Sequence, residues 1–170
     1  SAAGTGELAS VICRYWQNYP EKKDFITVMK NWNLPVPRGE MTGFFDLIFS
    51  RNGFYYIVDW KSNSLKSERI RRSYYEPLPG SDPLAFDLKG VTREMAEHWY
   101  FLQYLLYSAV LHRWLKQTMG TQYSWERNFG GIRYFFLRGI ASGGSFPVYS
   151  DRPQEELLDE LAAALGMEIL

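Results

Sequence analysis

The stretch Gly43–Leu65, with the sequence GFFDLIFSRNGFYYIVDWKSNSL, decides the fold of this chain. It covers most of one strand-like run, Met41–Phe49, and all of a second, Phe54–Lys61. Both runs are rich in aromatic and β-branched residues. Asn52 and Gly53 separate the runs, and this pair of residues readily adopts the positive φ angles of a two-residue turn. The sequence therefore predicts an antiparallel β-hairpin with Asn52 and Gly53 at its tip.

Three charged side chains interrupt this apolar hairpin. Asp46 lies in the first run, and Asp59 and Lys61 lie at the end of the second. Because side chains alternate across a strand, Asp59 and Lys61 point to the same face, about 7 Å apart. Asp46 can reach that face from the neighbouring strand, and the register of the hairpin decides whether it does.

A pair of carboxylates in apolar surroundings needs a neutralising partner, because burial and mutual repulsion both oppose ionisation. Two acids with few soft ligands nearby favour a hard divalent ion, Mg²⁺ or Mn²⁺, over Zn²⁺. Lys61 beside that ion could stabilise an oxyanion or an attacking water. The alternative is a structural ion pair between Lys61 and Asp59, with Asp46 facing solvent, and the three residues alone do not decide between these interpretations.

The rest of the chain adds helices and further strands. Helices are predicted over residues 7–19, over 93–116 with Thr92 as the cap, and over 152–165 with Pro153 in the first turn. Strands are predicted over residues 25–30 and 130–138. Residues 62–90 contain three prolines and predict a long loop, which in a compact domain is usually functional or mobile. The order α-β-β-β-α-β-α predicts one α/β domain with a mixed sheet.

The composition of the 170 residues is that of a globular domain, 46% hydrophobic and 17% aromatic. Nineteen basic residues balance nineteen acidic ones, so any contact with nucleic acid must come from a local patch. The single Cys13 excludes an internal disulfide and fits a reducing compartment, with the cytoplasm as the default. No apolar run is long enough for a membrane span, and the first residues do not have the pattern of a signal peptide.

Several motifs along the chain, in a consistent order, resemble one nuclease family. They are G-x-x-D (43–46), D-x-K-S-N (59–63), Q-x-x-x-Y within the helix-like stretch 96–115, NFGGIRYFFLRG (128–139) and VYSDRP (148–153). Twelve residues separate the first two motifs. Together they resemble the C-terminal nuclease domains of the RecB family, within the PD-(D/E)XK superfamily, from about Arg38 to the end of the chain.

This resemblance implies a restriction-endonuclease-like core with a mixed central sheet flanked by helices, and the activity of a Mg²⁺-dependent exodeoxyribonuclease of the exodeoxyribonuclease V type. Asp46 and Asp59 would be metal ligands, the backbone carbonyl of Trp60 would be a third, and Mn²⁺ could substitute for Mg²⁺. Lys61 would orient or activate the attacking water and stabilise the charge of the pentavalent, phosphorane-like state. In-line attack would leave a 5′-phosphate.

Two polar residues of the long predicted helix would complete the site. Gln103 and Tyr107 are one helical turn apart and therefore share a face. The resemblance implies that they organise the site and contact the DNA backbone, whereas without it they would be ordinary packing residues. His98 lies five residues before Gln103 and is expected to be structural, on a different face, while His112 is expected at the surface.

Four basic residues, Lys66, Arg69, Arg71 and Arg72, follow the D-x-K-S-N motif in the predicted loop. Such a run is usually a solvated face. Beside a phosphodiester site it is also what a groove that binds a DNA strand would use. We therefore predict that these four side chains contact DNA.

The family pattern is incomplete in this chain. The family's upstream glutamate has no clear match among Glu7, Glu21 and Glu40, and its upstream histidine has none, because both histidines are downstream. The helicase motor with its ATP site is absent as well. Residues 1–170 are therefore expected to be a single nuclease domain of a larger helicase–nuclease subunit, with residues 38–170 matching the family. The resemblance implies RecC- and RecD-like partner subunits, DNA as the substrate, and a role in double-strand-break repair and recombination.

Two other functions are compatible with these residues. An incomplete set of metal ligands allows a weak or inactive nuclease-fold module that binds DNA or a partner subunit. A hydrolase in which Asp46 and Asp59 act as an acid–base pair without a metal is the second, although Lys61 fits it poorly. Sensitivity to EDTA would separate the metal-dependent functions from the acid–base pair.

Overall fold

A computed structural model describes residues 5–32, 43–63, 65, 87–140 and 147–167 of the chain. The helices are α1 (Thr5–Trp16), α2 (Lys23–Lys30), α3 (Leu88–Glu97), α4 (Tyr100–Met119), α5 (Trp125–Asn128) and α6 (Glu155–Ala164). The strands are β1 (Leu47–Arg51), β2 (Phe54–Lys61), β3 (Phe129–Phe136) and β4 (Val148–Asp151). No helix in these ranges is long and apolar enough to cross a membrane.

The four strands form one mixed sheet in the order β1-β2-β3-β4. β1 pairs with β2 and β3 with β4 in antiparallel fashion, whereas β2 and β3 are parallel. A parallel pair requires a crossover connection, and α3 and α4 lie on this connection. The prediction of an α/β fold with a mixed sheet flanked by helices is therefore confirmed.

The hairpin forms at the predicted turn, where Asn52 has a φ of 53° and Gly53 a φ of 82°. β2 has the predicted bounds, but β1 begins at Leu47, so the strand prediction was wrong for residues 43–46. Asp46 lies in a bend just before β1, and its side chain accepts a hydrogen bond from the backbone N–H of Trp60. A side chain thus replaces the next backbone contact of the ladder. Residues 41 and 42 lie outside the described ranges.

The strand predicted over residues 25–30 is wrong, because these residues belong to helix α2. Phe25, Ile26 and Met29 are buried, at the spacing of one helical face. Asp24 lies in the first turn and Lys30 in the last, which matches the helix dipole. Burial of this face therefore outweighs the local preference of the β-branched residues for a strand.

The single helix predicted over residues 93–116 is also wrong, because α3 and α4 are separate helices. They are divided at Trp99, which has a left-handed φ of 59°. The ring of Trp99 packs against Phe25 and Trp32, which stabilises this unusual backbone. The cap is Asp87 rather than Thr92, so the end of the predicted loop is helical. Most of that loop, residues 66–86, lies outside the described ranges.

The remaining predicted elements are close to their expected bounds, whereas the short helix α5 and the strand β4 were not predicted. The FGG motif at the start of β3 serves packing. A side chain at Gly130 would collide with the ring of Tyr56. Gly131 has a φ of 86°, and a side chain there would collide with the backbone oxygen of Asp151. These glycines allow β3 to approach its two neighbouring strands closely.

One face of the sheet is buried over β2 and β3, whereas the residues of β1 are exposed. The register pairs Ile57 with Ile132 and Asp59 with Tyr134, and all four side chains are buried. The opposite face is more open, and Trp60 there is 44% exposed. Asp59 therefore points from the end of β2 into the layer between the sheet and the helices.

Candidate active site

The two predicted acidic residues come together at the end of the β1–β2 hairpin. Leu47 pairs with Val58, so continuing the register by one residue sets Asp46 opposite Asp59 on the same face. Asp46 Oδ2 accepts a hydrogen bond of 2.9 Å from the backbone nitrogen of Trp60. This bond fixes the Asp46 carboxylate across the end of β2.

Asp59 is a buried carboxylate, only 4% exposed. Burial raises its pKa, the nearby Lys61 ammonium opposes this, and the negative charge of Asp46 raises the pKa further. The Lys61 Nζ atom lies 2.6 Å from Asp59 Oδ1, so the two side chains form a buried ion pair.

Lys61 is held by several neighbours. Its ammonium donates a hydrogen bond of 3.0 Å to Gln103 Oε1. It also lies 4.0 Å from the ring centre of Tyr100 and 5.1 Å from that of Tyr134, which are cation–π distances. The ammonium therefore has a defined position between Asp59 and helix α4. The ion pair with Asp59 exists in this structure, so the purely structural interpretation accounts for this contact too.

The amide of Gln103 is oriented by its partners. Its oxygen also accepts a hydrogen bond of 3.0 Å from the Tyr134 hydroxyl, and its nitrogen is 3.4 Å from the Tyr107 hydroxyl. Tyr107 packs against Phe45 at 4.9 Å between ring centres. A Cβ atom on Gly43 would lie 3.2 Å from the Tyr107 ring. The glycine of the G-x-x-D motif thus leaves room for the tyrosine of the Q-x-x-x-Y motif.

A layer of polar contacts that the sequence did not predict lies behind the site. Asn63 donates to Glu94 at 2.7 Å and accepts from the Tyr100 hydroxyl at 3.1 Å. His98 lies 3.1 Å from the same Glu94 oxygen and stacks on Tyr100. The D-x-K-S-N motif gave a signal for Asn63, but the break at Trp99, which sets His98 beside Tyr100, has no signature in the sequence.

A cavity of about 490 Å³ opens beside these residues. Its walls include Gly43, Phe45, His98, Gln103 and Tyr107. The lining is mainly aromatic and aliphatic, with the Gln103 amide and the His98 imidazole as polar groups. A cavity of this kind can receive an apolar or aromatic part of a ligand beside the Gln103 amide.

Several other predicted site residues are not at this site or cannot be located. Lys66, Arg69, Arg71 and Arg72 lie outside the described ranges, and so does Glu40. Glu7 lies in α1 and Glu21 in a short turn before α2. Within the described residues, neither glutamate joins Asp46 and Asp59 in a group of three possible metal ligands.

The one group of three possible metal ligands in the described part of the chain is elsewhere, at His112, Glu155 and Asp159. The prediction that His112 is at the surface was wrong, because this side chain is fully buried between α4 and α6. Burial lowers the pKa of His112, the charge of Lys116 lowers it further, and Asp159 opposes the shift. Lys116 itself forms an ion pair of 2.8 Å with Asp159.

Comparison with known proteins gives a consistent family. No family model matches the chain. The RecBCD enzyme subunit RecB of Haemophilus influenzae is 38% identical over 124 residues, which are 73% of this chain and 9% of that protein. RecB of Escherichia coli is 36% identical over 135 residues, 77% of this chain and 10% of that protein. RecB of Mycobacterium tuberculosis is 32% identical over 117 residues, 68% of this chain and 9% of that protein.

The mixed sheet flanked by helices, with an acid pair and a lysine at the end of adjacent strands, has the architecture of an α/β nuclease-like core. The chain spans about a tenth of the length of the relatives it matches. It is a homologue of RecB, and the matched stretch is consistent with the C-terminal nuclease domain of that subunit.

Proposed function

We propose that this chain is a metal-dependent DNA nuclease domain that hydrolyses phosphodiester bonds as part of a RecBCD-type helicase–nuclease in double-strand-break repair and recombination. The observation that carries the proposal is the connected set Asp46, Asp59, Lys61 and Gln103 at one end of the sheet. The identity to RecB subunits supports the same function.

The donor atoms suit a hard divalent cation. The Asp59 carboxylate is buried, and the Asp46 carboxylate lies opposite it, in the bend just before β1. An all-oxygen set favours Mg²⁺, with Mn²⁺ as a substitute. Asp46, Asp59 and the backbone carbonyl of Trp60 would hold the ion. When bound, it would neutralise the acid pair, polarise the phosphodiester and favour ionisation of the attacking water.

Lys61 would orient the attacking water and stabilise negative charge on the phosphoryl oxygens. Its side chain is nearly buried, and the hydrogen bond to Gln103 fixes the direction of the ammonium. A fixed ammonium in a site of low dielectric stabilises developing charge more strongly than a solvated one. Gln103 would act as a positioning residue through Lys61, and Tyr107 would hold Gln103 and contact the DNA backbone.

The remaining assignments are extensions of this function. We propose that Lys66, Arg69, Arg71 and Arg72 contact DNA phosphates close to the D-x-K-S-N motif. We also propose that residues 1–170 are one domain of a larger subunit with RecC- and RecD-like partners. ATP would be used only by the helicase part of that subunit.

The direct test is a nuclease assay with end-labelled single- and double-stranded DNA in Mg²⁺, Mn²⁺ and EDTA. We expect cleavage in either metal, no cleavage in EDTA, and a loss of at least 100-fold in Asp59→Ala. Glu156→Gln, an exposed acid on α6, is the matched control and should retain activity. Cleavage that persists in EDTA would instead support the acid–base pair without a metal.

A weak or inactive nuclease-fold module that binds DNA or a partner subunit is the second candidate. Among the described residues no third His, Cys, Asp or Glu stands with Asp46 and Asp59, and Lys61 already neutralises Asp59. Calorimetry with Mn²⁺ on the wild-type chain and Asp59→Ala separates the two candidates. Tight, stoichiometric binding that Asp59→Ala abolishes would argue against a weak site.

A further inference from the structure

We propose that His112, Glu155 and Asp159 form a second metal site, selective for a divalent transition metal of the Zn²⁺ class, that joins helices α4 and α6. This site is separate from the Asp46–Asp59 pair and does not depend on the proposed nuclease function.

The spacing of the three side chains suits a single ion. Glu155 and Asp159 are one turn apart on α6, and the possible ligand atoms of all three residues lie within 4.8 Å of one another. His112 Nε2 is 3.1 Å from Asp159 Oδ1 and 3.9 Å from Glu155 Oε1. Four-coordinate Zn²⁺ holds its ligands at about 2.0–2.2 Å, which separates neighbouring ligand atoms by about 3.4 Å. The two observed distances bracket this value.

The imidazole of His112 is already oriented for binding. The side chain is fully buried, and its Nδ1 lies 2.6 Å from the Tyr123 hydroxyl, so Nε2 faces the two carboxylates. Metal-binding histidines usually donate from their second nitrogen to an oxygen atom. When Nε2 binds a metal, the ring proton would reside on Nδ1 and be donated to the Tyr123 oxygen, so the imidazole need not lose a proton.

A cation already occupies the position between the carboxylates. The Lys116 ammonium lies 2.8 Å from both oxygens of Asp159 and 3.5 Å from Glu155 Oε1. The Lys116 side chain is 37% exposed, so it can move into solvent without crossing the core. The cluster is therefore built around one positive charge, which either the ammonium or a metal ion can supply.

The donor atoms predict which metal binds. One imidazole nitrogen with two carboxylate oxygens suits Zn²⁺, Co²⁺ or Ni²⁺, whereas Mg²⁺ prefers an all-oxygen shell such as that of Asp46 and Asp59. The two sites should therefore respond to different metals. Binding at His112 would also link α4 to α6 and stabilise the fold by mass action.

The test is a Co²⁺ titration of the EDTA-treated and dialysed Asp59→Asn chain, followed by visible absorption. We expect one Co²⁺ ion with the absorption of a nitrogen–oxygen site. Lys116→Met removes the competing ammonium and should tighten binding at least fivefold. Glu155→Gln should weaken it at least fivefold. Glu156→Gln, which lies on the exposed face of the same helix, should leave it unchanged.

Both test residues are partly exposed, so the result does not depend on replacing the buried His112. Absence of a visible band, or a smaller change than fivefold in either Lys116→Met or Glu155→Gln, would overturn the proposal. A second readout is the unfolding temperature, which Zn²⁺ should raise in the Asp59→Asn chain but not when Glu155→Gln is added.

Discussion

The Lys61 ammonium lies 3.0 Å from the side-chain oxygen of Gln103, although 42 residues separate them along the chain. The first residue belongs to the D-x-K-S-N motif and the second to the Q-x-x-x-Y motif. This hydrogen bond therefore joins two motifs that the sequence presents separately. It explains how a helix contributes to a site whose acids both come from one hairpin.

Gln103→Leu removes the acceptor for Lys61 and should lower kcat about 10- to 100-fold. This range corresponds to the roughly 1.5–3 kcal/mol of a hydrogen bond to a charged group. Binding of Mn²⁺ by calorimetry should change little, because Gln103 does not contact the acids. Gln122→Leu, an exposed control beyond α4, should have wild-type kcat. Equal losses in metal binding and in kcat would contradict a positioning role.

Gly43→Ala tests the packing between the first and third motifs. The new Cβ would lie 3.2 Å from the Tyr107 ring, so the ring must shift by a few tenths of an ångström. We expect a several-fold loss of nuclease activity with little change in the unfolding temperature. Gly6→Ala is the control, because space is open there and alanine should stabilise α1 by about 0.5–1 kcal/mol. Wild-type activity in Gly43→Ala would show that Tyr107 needs no fixed position.

Asp59→Asn should abolish cleavage without lowering the free energy of unfolding in EDTA at neutral pH. The raised pKa of Asp59 means that the folded chain favours the protonated acid. The contribution of protonated Asp59 to the free energy of unfolding is complete below the usual aspartate pKa. It is lost as the pH rises through the raised pKa. A neutral amide avoids this loss. The free energy of unfolding of Asp59→Asn, measured by urea titration, should therefore rise relative to that of the wild-type chain between acidic and neutral pH.

Asp151→Asn is the contrasting control. Asp151 accepts a hydrogen bond of 2.6 Å from Lys22, whose side chain is almost completely buried beneath Trp16. Removing this carboxylate leaves a buried ammonium unpaired and should cost about 3–5 kcal/mol. If Asp59→Asn were as destabilising as Asp151→Asn, Asp59 would be a structural ion-pair partner rather than part of an active site.

Arg71→Ala with Arg72→Ala should reduce the salt dependence of DNA binding. Each lost phosphate contact lowers the slope of log affinity against log salt by about 1, so the double variant should lose about 2. Lys23→Ala with Lys30→Ala, on α2, is the matched control for the change in charge. An unchanged slope in the arginine variant would mean that these side chains do not contact phosphates.

The parts of the fold that local chemistry determines were predictable. Asn52-Gly53 defines the hairpin and therefore the approach of Asp46 to Asp59. Helix α2 was missed because its β-branched residues suggest a strand, and only tertiary burial of Phe25 and Met29 favours the helix. These are cases where packing outweighs propensity.

The site was predictable to the extent that its residues lie in motifs. The polar contacts behind the site, which include His98, were not predictable. The helix break beside them lies at Trp99, which adopts a left-handed φ where a glycine is usual, so no local signal marks it. The burial of His112 was not predicted, because it depends on α6, which covers this side chain. Contacts between distant helices of this kind are not encoded in any one window of sequence.

The parallel pairing of β2 with β3 has a consequence for the order in which the site assembles. The hairpin that carries both acids closes locally, within about 1–10 μs for such turns. The hydrogen bond between Lys61 and Gln103 forms only once the crossover connection has folded. It closes a loop of 42 residues, which costs more conformational entropy than closing the hairpin. We therefore expect the two acids to come together before Lys61 acquires its fixed position during folding.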